Sequence, residues 1–244
     1  MIELRHLTKR YGSFVAVHGL SLSVSPGEIF GFIGPNGAGK TTTLRMMSGI
    51  LAPTEGSVII DGIDLMDRPE EAKRRIGFIP DRPFLYEKLT GLEFLRFTAD
   101  LYSAGDGLFQ QKAEDALRQF SLSGWGDDLI ESYSHGMKQR LIIASAILHD
   151  PKVIIVDEPM VGLDPAGMRM VKGLFRNLAK KGTTLFMSTH TLAVAEDVCH
   201  RIGIIHKGRL VATGTIEDLK QSARVQEGDL ERIFLALTEG EPLS

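Results

Sequence analysis

The sequence predicts an α/β fold: a parallel sheet with crossover helices, preceded by antiparallel strands and interrupted by a block of helices. Three observations predict it. Short apolar runs at residues 28–33, 76–80, 153–157 and 184–188 alternate with stretches of helical spacing, the pattern of a parallel sheet. Residues 2–24 alternate apolar and polar, with breaks expected at Gly12 and Gly19, which reads as antiparallel strands. Between about residues 83 and 149 the apolar period becomes helical, over 90–102, 108–120 and 136–149.

The remaining elements follow in order. A helix is expected over 40–48 and a strand over 57–61, ending in a turn at Asp61-Gly62. A helix over 166–180 joins the last two core strands. Segments 202–206 and 209–212 flank Lys207-Gly208 as a hairpin. Beyond about Ser222, Leu230, Ile233, Phe234 and Leu237 would share one face of a short terminal helix.

Composition bounds the function. The chain has 244 residues, 43% hydrophobic and 24% charged, enough for a sizeable core. A net charge of -3 gives no global pull toward nucleic acid or an acidic membrane. One cysteine, Cys199, excludes a disulfide framework and a multi-cysteine metal site, and suits a reducing compartment. No segment approaches the roughly 18–20 apolar residues of a membrane helix. The N-terminus lacks a signal-peptide apolar region. The chain is therefore expected in the cytosol, with any membrane association supplied by a partner.

Gly34, Pro35, Asn36, Gly37, Ala38, Gly39, Lys40 and Thr41 match the pattern GxxxxGK[ST] between a strand and a helix. Backbone N–H groups can cup a triphosphate only where side chains do not crowd the turn, hence the glycines. The following helix points its positive end at the phosphates. Lys40 reaches the β- and γ-phosphates, and the Thr41 hydroxyl can ligate Mg²⁺. This motif does not by itself separate ATPase, GTPase and kinase.

The apolar strand at 153–156 ends in Asp157 and Glu158. Ligands of an open parallel sheet sit beyond the carboxyl ends of its strands. Asp157 is placed to hold Mg²⁺ through water, and Glu158 to polarise an attacking water as general base. A solvated acidic pair before Pro159 is the plainer alternative, and the phosphate loop weighs against it. About twenty residues upstream lies Tyr133-Ser134-His135-Gly136-Met137-Lys138-Gln139-Arg140. Ser134 can cap the helix that follows, and Gly136 admits a phosphate to its N-terminus. Its place in the helical insertion separates it from its own phosphate loop, so a second subunit's phosphate becomes a candidate.

The order of phosphate loop, signature, acidic strand and histidine resembles the ATP-binding subunit of ABC transporters over about residues 1–220. The resemblance implies a P-loop NTPase parallel-sheet core with an N-terminal antiparallel β subdomain and an inserted α-helical subdomain. The core would be residues 1–82 and 150–220, the insertion about 83–149, and 221–244 a short C-terminal helical extension. The usual signature is LSGGQ. Only Ser134 and Gly136 of Tyr133–Met137 match it strictly. This variant is similar to that of exporters whose permease is a separate chain.

By the same resemblance, Tyr11 stacks on adenine and Thr42 joins Thr41 at the phosphates. Asp164, in Gly162-Leu163-Asp164, lies in a loop crossing a dimer interface, and it also reads as a helix cap before Pro165. His190, after Ser188-Thr189, contacts the γ-phosphate. Asp81 stands where the family usually has a glutamine that contacts Mg²⁺ and water. Its shorter, charged side chain could hold a metal-bound water. The implied cofactors are ATP and Mg²⁺. The implied partners are an integral-membrane permease and a second copy of the chain or a paralogous ATPase subunit, with no nucleic acid. The implied place is the cytoplasmic face of the membrane.

Two other readings fit the motifs less well. A relative acting on ribosomes or DNA would carry two cassettes or a long coiled coil, and neither is present. A GTPase or small-molecule kinase leaves the signature and His190 without a role. The tail from Gly228 to Thr238 resembles the closing segment of exporters for lipophilic cargo. A helix that simply packs on the domain explains it equally well.

Overall fold

The chain is described by a computed structural model, covering residues 1–82, 84–102, 109–223 and 229–239. Pro83, Leu108 and Gly228, used above as boundaries, lie outside the described residues.

The N-terminal half begins with β1 (Ile2–Tyr11) and β2 (Phe14–Val24), an antiparallel pair. Gly12 lies in the turn between them. Gly19 was expected to break the pattern but sits inside β2 with φ 56, beside register shifts in the pairing. The glycine accommodates a bulge, and the strand continues through it. β4 (Glu55–Ile60) and β5 (Ile63–Asp64) complete the sheet in the order β2-β1-β4-β5. Asp61 and Gly62 join them with φ 50 and φ 80, as a tight hairpin requires.

The second sheet contains β3 (Ile29–Ile33), β6 (Ile76–Ile79), β7 (Val153–Asp157), β8 (Thr184–Thr189), β9 (Arg201–His206) and β10 (Arg209–Gly214). Their order is β10-β9-β3-β8-β7-β6, parallel throughout except for the antiparallel β10–β9 hairpin. β3, β7 and β8 are buried along their whole length, as parallel strands covered on both faces must be.

Helices α1 (Lys40–Met47) and α2 (Pro69–Arg74) follow β3 and β5. Between β6 and β7 come α3 (Gly91–Leu101), α4 (Phe109–Gln119) and α5 (His135–Ile147). α3 starts at a reciprocal cap: Thr90 accepts from the Glu93 amide, and the Glu93 carboxylate accepts from the Thr90 amide. α6 (Pro165–Lys180), α7 (Leu192–Val198), α8 (Ile216–Ala223) and α9 (Leu230–Glu239) follow in the rest of the described chain. The extension read from residue 221 thus begins within α8.

Three apolar clusters hold this together. One lies between the two sheets and includes Leu4, Val58, Phe32 and Phe186. The largest joins the helical block to the parallel sheet, with Leu95, Phe120 and Leu141 packed in one body with Ile154, Val156 and Met187. The third gathers the end of β3, α7, β9, α8 and α9. Cys199 packs its Sγ at Gly31, where an added Cβ would come within 2.8 Å. Burial pushes its thiol up to about 12. Among the described residues, no helix is long and apolar enough to cross a membrane.

Candidate functional site

The turn from Gly34 to Gly39 leaves the end of β3 and enters α1. Gly39 occupies the N-cap position with φ 107, and no side chain caps the helix. A Cβ there would lie 2.7 Å from the Ala16 carbonyl oxygen, and one at Gly34 would lie 2.3 Å from that of Ile205. Only glycine fits either position. A helix start with no side-chain cap keeps its amide dipoles available to an anion.

Lys40 folds back over this turn. Its Nζ donates to the Gly34 carbonyl at 2.7 Å and the Pro35 carbonyl at 3.2 Å. Burial pulls its ammonium below the usual lysine range, and the Glu158 and Asp157 carboxylates oppose that. The ammonium is thus held over the glycine turn, where it can neutralise a phosphate cupped by the backbone amides.

β7 and β8 are neighbours in register, with Asp157 opposite Ser188. That register builds the acidic corner. Asp157 accepts from the Thr41 hydroxyl at 2.9 Å and, through its other oxygen, from the Ser188 hydroxyl. Thr41 and Asp157 therefore converge across 116 residues of sequence. Their hard oxygen donors fit Mg²⁺, which keeps much of its water and needs only one or two protein ligands. Among the described residues, no group of three or more His, Cys, Asp or Glu side chains forms a closed metal cage. A closed cage is not what an ion shared with phosphates requires.

Glu158 adopts φ 52, in the left-handed region. For a non-glycine residue this costs about 1–3 kcal/mol, a strain found most often at functional positions. Its carboxylate receives the Thr189 hydroxyl at 3.1 Å, the His190 amide at 2.9 Å and the His190 ring Nδ1 at 2.7 Å. The His190 side chain is 61% exposed.

The other residues singled out by the sequence sit on other elements. Tyr11 is 49% exposed at the tip of the β1–β2 hairpin, with Lys9 Nζ 5.4 Å from its ring centre. Ser134 caps α5 by accepting from the Met137 amide at 3.3 Å. A Cβ on Gly136 would approach the Gly162 carbonyl oxygen to 3.3 Å. Asp164 caps α6 by accepting from the Gly167 amide at 2.7 Å, with Pro165 in the first turn. Asp81 lines a cleft of about 610 Å³ with Phe84, Glu87, His135 and Lys138.

Three participants were missed by sequence reasoning. Ser188 and Thr189 hold the two carboxylates, and their position just before His190 on a strand end was the available signal. The His135 ring lies against Gly162, where an added Cβ would meet its Cδ2 at 2.1 Å. Nothing in the local sequence announces that contact.

Comparison with known proteins agrees with this geometry. The family described as ABC transporter matches residues 17–161. The chain is 36% identical over 240 residues to a probable multidrug ABC transporter ATP-binding protein, YbhF, of Escherichia coli. That match covers 97% of this chain but 41% of that protein, so the chain spans less than half the length of this relative. It is 40% identical over 226 residues to the bacitracin transport ATP-binding protein BcrA of Bacillus licheniformis, covering 92% of this chain and 72% of that one. A solved ATP-binding subunit of an ABC transporter superposes with a TM-score of 0.92 at 33% identity, covering 97% and 99% of the two chains. A dimeric post-hydrolysis structure of the cassette MJ0796 with ADP and Pi superposes at 0.78 with 27% identity, covering 88% and 99%. The matched family, the relatives and the shared fold agree: this chain belongs to the ABC transporter family, as an ATP-binding cassette.

Proposed function

We propose that this chain hydrolyses ATP to ADP and phosphate as a head-to-tail dimer and thereby drives a separate membrane permease, in the direction of export. One observation carries the reading. Lys40, Thr41, Asp157, Glu158 and His190 gather at the carboxyl ends of β3, β7 and β8, whereas Ser134 starts a helix packed on β6. The phosphate loop follows β3, and β6 lies three strands away, with β8 and β7 between them. One copy therefore offers a phosphate cradle and, elsewhere, a helix N-terminus with no acidic residue in its first turn. Two copies facing head to tail would bring these together.

In this reading Tyr11 stacks on adenine. The residues from Gly34 to Thr42 wrap the phosphates, with Lys40 neutralising the β- and γ-oxygens. Thr41 and Asp157 would hold Mg²⁺, with Asp81 available to support it. When bound, that ion offsets the charge that develops on the phosphate oxygens. Glu158 takes the proton of the attacking water, whose oxygen bonds to the γ-phosphorus as the bond to the ADP oxygen breaks. His190 turns Nε2 toward the γ-phosphate. Ser134 and Gly136 of the second copy close the site, and Asp164 lies in the loop between copies.

The permease would dock where Asp81 meets the helical insertion. Phe84, 79% exposed, Tyr86 and Phe97 form an edge-to-face aromatic row there, with ring centres 5.5 and 5.3 Å apart. Exposed contiguous aromatics beside a cleft suit a protein partner. Such a partner would hold the chain at the membrane's cytoplasmic face. The multidrug and bacitracin transport relatives support export. The helical insertion at about 83–149 is the unit that would move the permease.

The test is turnover per subunit across a dilution series. It should fall as the chain is diluted, and Ser134→Ala should lower it at least tenfold while ATP binding to the separate copy persists. Turnover independent of concentration and insensitive to Ser134→Ala would refute the shared site.

A further inference from the structure

α7 begins two residues after His190, and its seven residues are too few to hold a helix alone. Its N-cap residue, Thr191, makes no side-chain capping bond. Packing must place it. One flank, through Val194 and Val198, enters the large core with Leu185 and Met187 of β8. The far end is tied to α6, where Asp197 receives Lys172 at 2.9 Å and Arg176 at 2.6 Å. Exposed pairs of this kind contribute little.

The remaining flank meets the C-terminal helix. Ala195, fully buried, shares a cluster with Leu230 and Ile233 of α9, both fully buried, and with Ile33, the residue before Gly34. Leu192, Phe234 and Leu237 border the same cluster. A hydrogen-bonded path runs from this wall to the acidic corner. The Ala195 amide donates to the Thr191 carbonyl, and the Thr191 amide donates to the Thr189 hydroxyl oxygen at 3.0 Å. That hydroxyl donates to Glu158, which also holds the His190 amide.

We infer that α9 is a positioning element for the reaction, with Ile233 and Leu230 bracing α7 so that His190 is held in register with Glu158. The inference rests on the role given to His190 above. α9 itself touches no reacting atom. It supplies the wall that keeps a short helix, and the residue before it, from drifting. Displacements of about 1 Å at a reacting group can cost a hundredfold in rate, so a softened wall should appear in turnover before it appears in nucleotide affinity.

The experiment is a double-mutant cycle on the full chain, with ATP turnover measured as phosphate release and folding checked by thermal melting. Ile233→Ala should lower kcat about tenfold, with KM for ATP within about twofold, and Ile233→Val should restore most of the loss. In a His190→Ala background, Ile233→Ala should cost nothing further. Should Ile233→Ala fail to fold, Phe234→Ala, at the rim of the same cluster, enters the cycle instead. An equal loss of kcat with and without His190, or unchanged kcat in a folded Ile233→Ala variant, overturns the positioning role while leaving the role of His190 standing. Unchanged kcat in His190→Ala alone overturns both.

Discussion

Glu158 shows how the site is assembled residue by residue. Strain in its backbone turns the carboxylate back toward β8, where three donors from Thr189 and His190 meet it. The sequence made the chemistry legible here, because phosphate binding and acid–base work need particular side chains at fixed offsets. It did not reveal Ser188 and Thr189 as partners, because that depends on which residues of two strands stand opposite each other. His135 and Gly162 are the sharper case, being 27 residues apart and joined only by shape. Gly162→Ala should lower ATP turnover about tenfold, because the φ of 77 disfavours any side chain and its new Cβ would push the exposed His135 ring aside. His135→Gly should recover part of that loss. The backbone strain is common to both backgrounds, so steady-state rates of the four combinations isolate the overlap. Strict additivity would show that the ring and the loop do not press on each other.

At the scale of elements, the long amphipathic helices and the buried strands were readable, because their periods persist over enough residues to be distinctive. α2, α7 and α8, at six to eight residues, were not. Helices this short are set by packing and not by their own pattern. The link between the helical insertion and the sheet was hidden too. His149, just past α5, stacks on Tyr102 at the end of α3 with ring centres 3.8 Å apart, and its Nε2 bonds the Ile76 carbonyl of β6 at 3.1 Å. Burial lowers its pKa to about 4. The unfolded chain, with histidine near the ordinary 6.5, binds more protons between those values, so stability is fully present above about pH 6.5 and falls as pH drops toward 4. Melting temperature should therefore fall by several degrees from pH 7 to pH 5, and by less in His149→Phe, which keeps the stack and loses the titration. Equal pH slopes for the two proteins would contradict this.

For the whole molecule, the helical insertion has no private core. Leu95, Phe120 and Leu141 pack in one body with Ile154 and Met187 of the sheet, so the two should lose structure together. The chain contains one tryptophan, Trp125, and it lies in the insertion with its ring edge-on to Tyr133. Its fluorescence should melt at the same temperature as the far-ultraviolet circular dichroism of the whole chain. An earlier fluorescence midpoint would mean that the insertion comes apart by itself. Sharing one apolar body also explains why the change from strand to helical period marks a change of architecture in the sequence without marking a separately folding unit.

Cys199 brings a practical benefit. With its sulfur packed at Gly31 and burial pushing its thiol up to about 12, Cys199 is a weak nucleophile at neutral pH and should react slowly with maleimides or spin labels. Paired reporter dyes on introduced surface cysteines would therefore label against a silent background. Distances between two copies, or between the insertion and the sheet, could be followed through the catalytic cycle without first removing the native thiol.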